Sequence, residues 1–338
     1  MFGSSAYPIE YQNARAFGWG WCKTAMLTIF MGTAEFAVPS LRALLESGHT
    51  VAGVWTRPDK PHGRGHKIDV SPVKALALDA GLPIFQPPTL RRPEAATEVA
   101  AIHPDAICVA AYGLILPPAV LTCARWGCVN VHGSLLPKYR GAAPIHRAIM
   151  AGETLTGVTT MMMDEGLDTG DMLLRAETTI GPDETYGEAH DRLAQIGAGL
   201  LINTLREMEK GTCPREPQDS SESSYAPPVR KEECQIDWTR SAREIHDLVR
   251  GANPRPGAYT FRAGDLLRIH RAPVTDAPLP GPPGALHVLP GTRAPAVVCG
   301  EGAVELKEVQ PAGKKAMRGV DYLLGRPVRE GAILGSAG

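Results

Sequence analysis

The segment Leu27-Thr-Ile-Phe-Met-Gly-Thr-Ala-Glu-Phe-Ala-Val-Pro-Ser-Leu-Arg-Ala-Leu-Leu-Glu-Ser-Gly-His-Thr-Val-Ala-Gly-Val-Trp-Thr56 decides the fold class. Leu27-Thr-Ile-Phe-Met31, apolar but for Thr28, reads as a buried strand, and Gly32 turns the chain. Val38, Leu41, Leu44 and Leu45 then recur at helical spacing up to Glu46, and Gly48 stops the helix. Val51–Thr56 is a second strand. Strand, helix and strand in this order form a unit whose strands lie parallel, with helices covering the sheet.

Working outward, the unit repeats. Helices are predicted over Val73–Ala80 and Glu94–Ile102, with strands at Pro83–Phe85, Ala106–Ala111 and Cys128–His132. A helix or turn near Leu116–Cys123, a strand over Gly157–Met162 and a long helix over Thr185–Met208 complete this part. The turn Gly32-Thr-Ala-Glu-Phe-Ala37 has no further glycine at G-x-G-x-x-G spacing, so a dinucleotide cofactor has no support. Residues 210–232, rich in serine and proline, read as a linker. Beyond it, a helix capped by Ser241 is predicted over Ser241–Val249. Short strands at Tyr259–Phe261, Leu266–Ile269, Ala296–Cys299 and Ala303–Val309 then alternate with Gly/Pro turns, the pattern of a small barrel. The expected organisation is therefore a leader at 1–25, an α/β domain at 26–209, the linker, and a β-barrel domain at 233–338.

Composition narrows the class. The 36 glycines and 30 prolines among 338 residues are loop-rich but short of disorder, and collagen, coiled coils and disulfide mini-scaffolds are excluded. Seven scattered cysteines contain no CxxC pair, which fits a reduced, cytoplasmic protein; Cys108 sits in an apolar run and reads as core. No window holds 18 consecutive apolar residues, so no membrane partner is expected. Met1–Ala25 has one arginine, one lysine and no apolar core, and it reads as a dispensable segment before Met26. The net charge of −1 conceals an asymmetry: residues 233–338 carry 14 basic and 11 acidic side chains. The loop Arg57–Lys74 adds five basic residues against two acidic ones, with Gly63 and Gly65 flanking Arg64. A near-neutral total thus leaves room for a nucleic-acid partner.

The chemistry concentrates in Gly127-Cys-Val-Asn-Val-His-Gly-Ser-Leu-Leu-Pro137. On a strand, Asn130 and His132 share one face, opposite Val129 and Val131. An amide there can donate to a developing oxyanion, and an imidazole can move a proton near neutral pH. Met163-Asp-Glu-Gly-Leu-Asp-Thr-Gly-Asp171 offers three aspartates, and Asp164, Asp168 or Asp171 could orient His132. Its spacing lacks the alternating oxygen ligands of an EF-hand, and no metal is expected.

Asn130-Val-His-Gly-Ser-Leu-Leu-Pro137, Lys138-Tyr-Arg-Gly-Ala-Ala-Pro-Ile145 and Gly166-Leu-Asp-Thr-Gly-Asp171 together resemble the 10-formyltetrahydrofolate-dependent formyltransferases. From about Leu27 to Val328 the chain resembles the branch that formylates methionyl initiator tRNA, through Pro58–Gly65, Ser71–Lys74, Ala111–Pro117 and Gln310–Met317 as well. The resemblance implies a mostly parallel, Rossmann-like formyltransferase domain followed by a smaller barrel similar to oligonucleotide-binding folds. It implies catalytic Asn130, His132 and Asp168, folate contacts at Ser134, Leu135, Leu136 and Pro137, and tRNA contacts at Lys60, Arg64, Lys67, Lys314 and Lys315. The formyl donor would be 10-formyltetrahydrofolate, and the enzyme would act as a monomer. Ala34 replaces a usual proline, His66 replaces a common lysine, and the first 25 residues have no counterpart. A relative acting on a small amine would share the trio without needing the basic loop or the barrel.

Overall fold

The computed structural model describes residues 25–62, 67–328 and 332–335. The strands of the first part are β1 (Leu27–Gly32), β2 (Thr50–Trp55), β3 (Lys60–His62), β4 (Lys67–Asp69), β5 (Ile84–Phe85), β6 (Ala106–Ala110), β7 (Cys128–His132), β8 (Leu155–Met162) and β9 (Met172–Thr179). Its helices are α1 (Val38–Glu46), α2 (Pro72–Asp79), α3 (Pro93–Ala100), α4 (Pro118–Leu121), α5 (Pro144–Met150) and α6 (Tyr186–Lys210). Seven strands form one sheet in the order β5-β2-β1-β6-β7-β8-β9. From β5 to β7 the strands are parallel, whereas β8 and β9 are antiparallel. The chain runs outward from β1 through β2 to β5, then returns to β6 on the other side of β1. Ligands of such sheets bind where the direction of winding reverses, outside the carboxyl ends of the strands.

Both faces of the sheet are covered. Val129 and Val131 of β7 pack with Leu41 of α1 and Leu193 and Leu201 of α6. Cys128 faces the opposite side with Ile107, Val109 and residues of α3 and α4. Gly197 allows α6 to lie close against β7, because a Cβ there would stand 2.7 Å from Val131 Cγ1. A helical glycine costs about 1 kcal/mol relative to alanine, and close approach is what it gains here. Cys108 is fully buried, and burial pushes its thiol up to about 12, so it behaves as core.

The second part contains β10 (Ala258–Arg262), β11 (Asp265–Arg271), β12 (Val274–Thr275), β13 (Leu286–Val288), β14 (Pro295–Val298), β15 (Ala303–Glu305), β16 (Glu308–Pro311), β17 (Met317–Arg318) and β18 (Leu334–Gly335). Helices α7 (Ala242–Ala252) and α8 (Gly319–Gly325) accompany them. The strands form antiparallel sheets of five and four, in the orders β17-β16-β11-β10-β18 and β12-β15-β14-β13. Both sheets and α7 contribute to one core through Ile269, Val309, Val297, Val304 and Ile245. The expected single strand Ala303–Val309 is two strands in different sheets. The Leu306 and Lys307 amides donate instead to Pro295 and Arg271 carbonyls, which carries the chain from one sheet to the other.

Helix α7 docks on the first part. His146 Nδ1 donates to the Gly251 carbonyl at 2.8 Å, and buried Arg250 reaches Asp247 at 2.6 Å and the Glu184 carbonyl at 3.3 Å. Glu188 joins the two parts differently. Its carboxylate accepts the Thr185 amide in a capping box that starts α6, and Arg271 reaches it at 2.7 Å. The Thr185 backbone N–H, then Arg271 and the Thr185 hydroxyl, lower its pKa from 4.5 to about 2. A depressed carboxylate stabilises the fold fully above its unfolded pKa and loses that contribution as pH falls through the folded one. Glu188→Gln is therefore expected to lower the melting temperature at neutral pH. The gap from wild type should close between pH 4.5 and about 2; a gap that stays constant across that range contradicts the assignment.

Candidate active site

β7 is the strand at which the parallel part of the sheet meets the antiparallel part. Its Asn130 and His132 lie on the face away from Val129 and Val131, and same-face residues two apart on a strand are separated by roughly 7 Å. Asn130 is half-buried, and among the described residues its amide makes no side-chain hydrogen bond. A fixed strand thus presents a donor that no described residue satisfies.

His132 is buried, bonded through one ring nitrogen and faced by a carboxylate at the other. Nε2 is 2.9 Å from the Tyr139 carbonyl oxygen, and Nδ1 is 3.7 Å from Asp168 Oδ2. A carbonyl oxygen only accepts, so the ring nitrogen at 2.9 Å must carry the proton. The neutral ring therefore keeps its lone pair on Nδ1, facing the carboxylate. A proton taken up at Nδ1 would meet Asp168 directly.

The acidic loop separates the roles of its aspartates. Asp164 closes its own turn by accepting from the Gly166 amide and the Thr169 hydroxyl, at 3.0 and 2.8 Å. Asp168 faces the histidine, with Oδ2 also accepting the Gly141 amide at 2.8 Å. Its φ is +53°, a left-handed conformation that a residue with a Cβ adopts only at a cost.

The segment after His132 turns on itself. Ser134 Oγ donates to the Lys138 carbonyl at 2.7 Å, and Leu136 is buried against Met161 and Met172. Of the four residues expected to meet folate, Ser134 and Leu136 are thus buried in the loop's own packing, while Leu135 and Pro137 are half-buried. Thr159, which pairs with His132 across the sheet, fastens the loop: its hydroxyl donates to the Ser134 carbonyl and accepts the Leu136 amide.

The basic residues lie elsewhere. Lys60 and Lys67 belong to the hairpin strands β3 and β4, and Arg64 and His66 lie outside the described residues. Lys74 is turned inward, bonded to Asp59 and to Gln86, and Lys74 and Gln86 hold Asp59 below the usual carboxylate range. Lys314 and Lys315 are exposed on the turn between β16 and β17. Among the described residues no group of three histidine, cysteine, aspartate or glutamate side chains converges as a metal site.

Profiles of known families match most of the chain: one described as formyl transferase at residues 25–205, and one described as formyl transferase, C-terminal domain, at 228–327. The chain belongs to the formyl transferase family. Full-length relatives include the methionyl-tRNA formyltransferase of Alkaliphilus oremlandii, 47% identical over 310 residues, covering 92% of this chain and 100% of that protein. The methionyl-tRNA formyltransferase of Symbiobacterium thermophilum is 50% identical over 304 residues, covering 90% and 93%. Among solved structures, an N-formyltransferase from Helicobacter canadensis, in complex with folinic acid and dTDP-3-aminofucose, superposes with a TM-score of 0.62 at 18% identity. That match spans 86% of this chain and all of that one. HypX from Aquifex aeolicus, in complex with tetrahydrofolic acid, gives 0.61 at 19%, spanning 89% and 47%.

Within this formyl transferase, two supporting groups escaped the sequence reading: the Thr159 hydroxyl and the Tyr139 carbonyl. Backbone acceptors carry no sequence signal, and one threonine in a β-strand resembles any other. Thr159→Val would leave the buried Ser134 carbonyl and Leu136 amide unpaired, at a cost of about 1–3 kcal/mol. The expected result is a lower unfolding midpoint together with reduced formyl transfer. Unchanged values of both contradict a supporting role.

Proposed function

We propose that this chain transfers the formyl group of 10-formyltetrahydrofolate to the α-amine of methionine esterified to initiator tRNA. The product, N-formylmethionyl-tRNA, serves translation initiation. The observation that carries the proposal is the setting of His132 at the end of β7, against the Tyr139 carbonyl and facing Asp168, with Asn130 two residues before it on the same face of the strand. Identity near 50% over whole proteins named for the methionyl-tRNA reaction favours that acceptor over the sugar amines of structural neighbours only 17–18% identical.

The folate supplies a formyl carbon activated on a nitrogen, and the half-buried Leu135 and Pro137 beside the site suit its apolar body. Asn130 Nδ2 donates to the formyl oxygen as charge develops on it during attack by the amine. An α-amine with a pKa of about 7.7–8.0 is partly neutral at physiological pH and needs no stronger activation. His132 Nδ1 accepts the proton that the attacking amine sheds, and Asp168 stabilises the imidazolium beside it. His132 then returns that proton to the departing folate nitrogen, so the ring ends as it began.

The proposal assigns tRNA contacts to Lys60, Arg64 and Lys67 on the first part and to Lys314 and Lys315 on the second. It divides the chain into a catalytic domain at 26–209, a linker at 210–232 and a tRNA-holding domain at 233–338. Distinct cores on either side of the linker support that division. The proposal places the chain in the cytoplasm as a monomer; no helix among the described residues is long and apolar enough to cross a membrane.

Removing one oxyanion donor typically costs about 10²–10³ in turnover. Asn130→Ala is expected to lose that much in formylation of methionyl initiator tRNA, with tRNA affinity retained. The assay should include uncharged tRNA, small amines and water as competing acceptors. Near-normal turnover by the variant, or equal transfer to small amines, contradicts the proposal.

A further inference from the structure

Residues 210–232 connect the two parts, but they do not hang free. The Glu216 and Met172 backbones exchange hydrogen bonds at 2.9 Å, the Arg140 amide donates to the Ser224 carbonyl, and the Ala226 amide donates to the Arg140 carbonyl. The segment is strapped across the two loops that shape the candidate active site. From Pro214 to Glu222 every residue is exposed except Gln218, which turns inward.

Both donors of the Gln218 amide and its oxygen are engaged. Nε2 donates to the carbonyls of Asp168 at 2.8 Å and Gly170 at 2.7 Å, and Oε1 accepts Arg140 Nε at 2.9 Å. Arg140 is followed by Gly141, whose amide holds the Asp168 carboxylate. Asp168 is therefore gripped at its backbone by Gln218 and at its side chain by Gly141. That double grip falls on a residue in the left-handed conformation.

We infer that Gln218 is a positioning residue for catalysis, holding the Asp168 carboxylate on His132 by clamping the strained backbone of its loop. The inference rests on the reading of Asp168 as the partner of His132. The left-handed region is uncommon for residues with a Cβ, aspartate being one that enters it, and releasing the carbonyl lets the peptide turn. The carboxylate then swings off the 3.7 Å approach to Nδ1. Glutamine suits the place because one amide nitrogen meets two carbonyls while its oxygen meets the guanidinium. A glutamate would keep Arg140 and lose both donors.

The test measures kcat and KM for formylation of methionyl initiator tRNA in the full chain, for Gln218→Met, Gln218→Glu, Asp168→Asn and the combination of Gln218→Met with Asp168→Asn. Glu216→Gln, altering an exposed strap residue paired with Arg175, is the control. Both Gln218 variants are expected to lose about tenfold in kcat with KM within about twofold, since clamping acts on the reacting geometry. In the Asp168→Asn background, Gln218→Met should cost nothing further, because the two residues act as one unit. Gln218→Glu, equal in size and still able to meet Arg140, covers the case in which Gln218→Met does not fold. Wild-type kcat in a folded Gln218 variant overturns the inference while Asp168→Asn remains impaired. So does a loss that multiplies in full on top of Asp168→Asn, or an equal loss in Glu216→Gln. An Asp168→Asn enzyme with normal turnover overturns the reading of Asp168, and the inference with it.

Discussion

The imidazole of His132, held between the Tyr139 carbonyl and the Asp168 carboxylate, is the constraint around which this molecule is arranged. Placing two acceptors on opposite edges of one buried ring requires two loops that are distant in sequence to meet at the end of one strand. The segment after β7 supplies Tyr139, itself in a left-handed conformation, and the β8–β9 loop supplies Asp168. Thr159 fastens the first from the neighbouring strand, Gly141 ties the first to the second, and the segment between the two cores fastens both from outside.

The sheet explains why the site lies where it does. Helix α6 packs on the far side of β7, with Gly197 against Val131, so that strand cannot shift away from the ligand side without opening the core. Asn130 is consequently delivered on a rigid backbone, with an amide that makes no side-chain hydrogen bond among the described residues. A preorganised donor that needs no reorganisation as charge develops is the most effective form of such stabilisation.

Much of this was legible in the sequence wherever periodicity reports burial. The strand, helix and strand from Leu27 to Thr56 appear within one residue of their predicted bounds, as does β7 with its pair of polar side chains. Strand β9 was not legible, because as an edge strand it buries only its first two residues and alternates polar side chains thereafter. Ala303–Val309 reads as one strand from its apolar residues, yet Lys307-Glu308 breaks the alternation where pairing passes from β14 to β11 and the segment divides between two sheets. Among Asp164, Asp168 and Asp171, spacing could not choose, because turn geometry decides which carboxylate faces inward. Gln218 left no local signal, since both carbonyls it holds lie about fifty residues away in a stretch whose composition says only that it connects.

The most direct measurement is the ¹⁵N nuclear magnetic resonance of the His132 ring in the substrate-free enzyme, assigned by comparison with His132→Gln, at a pH where the ring is neutral. The expected spectrum shows Nε2 protonated and Nδ1 bearing the lone pair, because the Tyr139 carbonyl accepts at 2.9 Å. Asp168→Asn should perturb Nδ1 more than Nε2. A ring protonated at Nδ1, or one whose nitrogens do not respond to Asp168→Asn, would contradict the arrangement from which the proton transfer is derived.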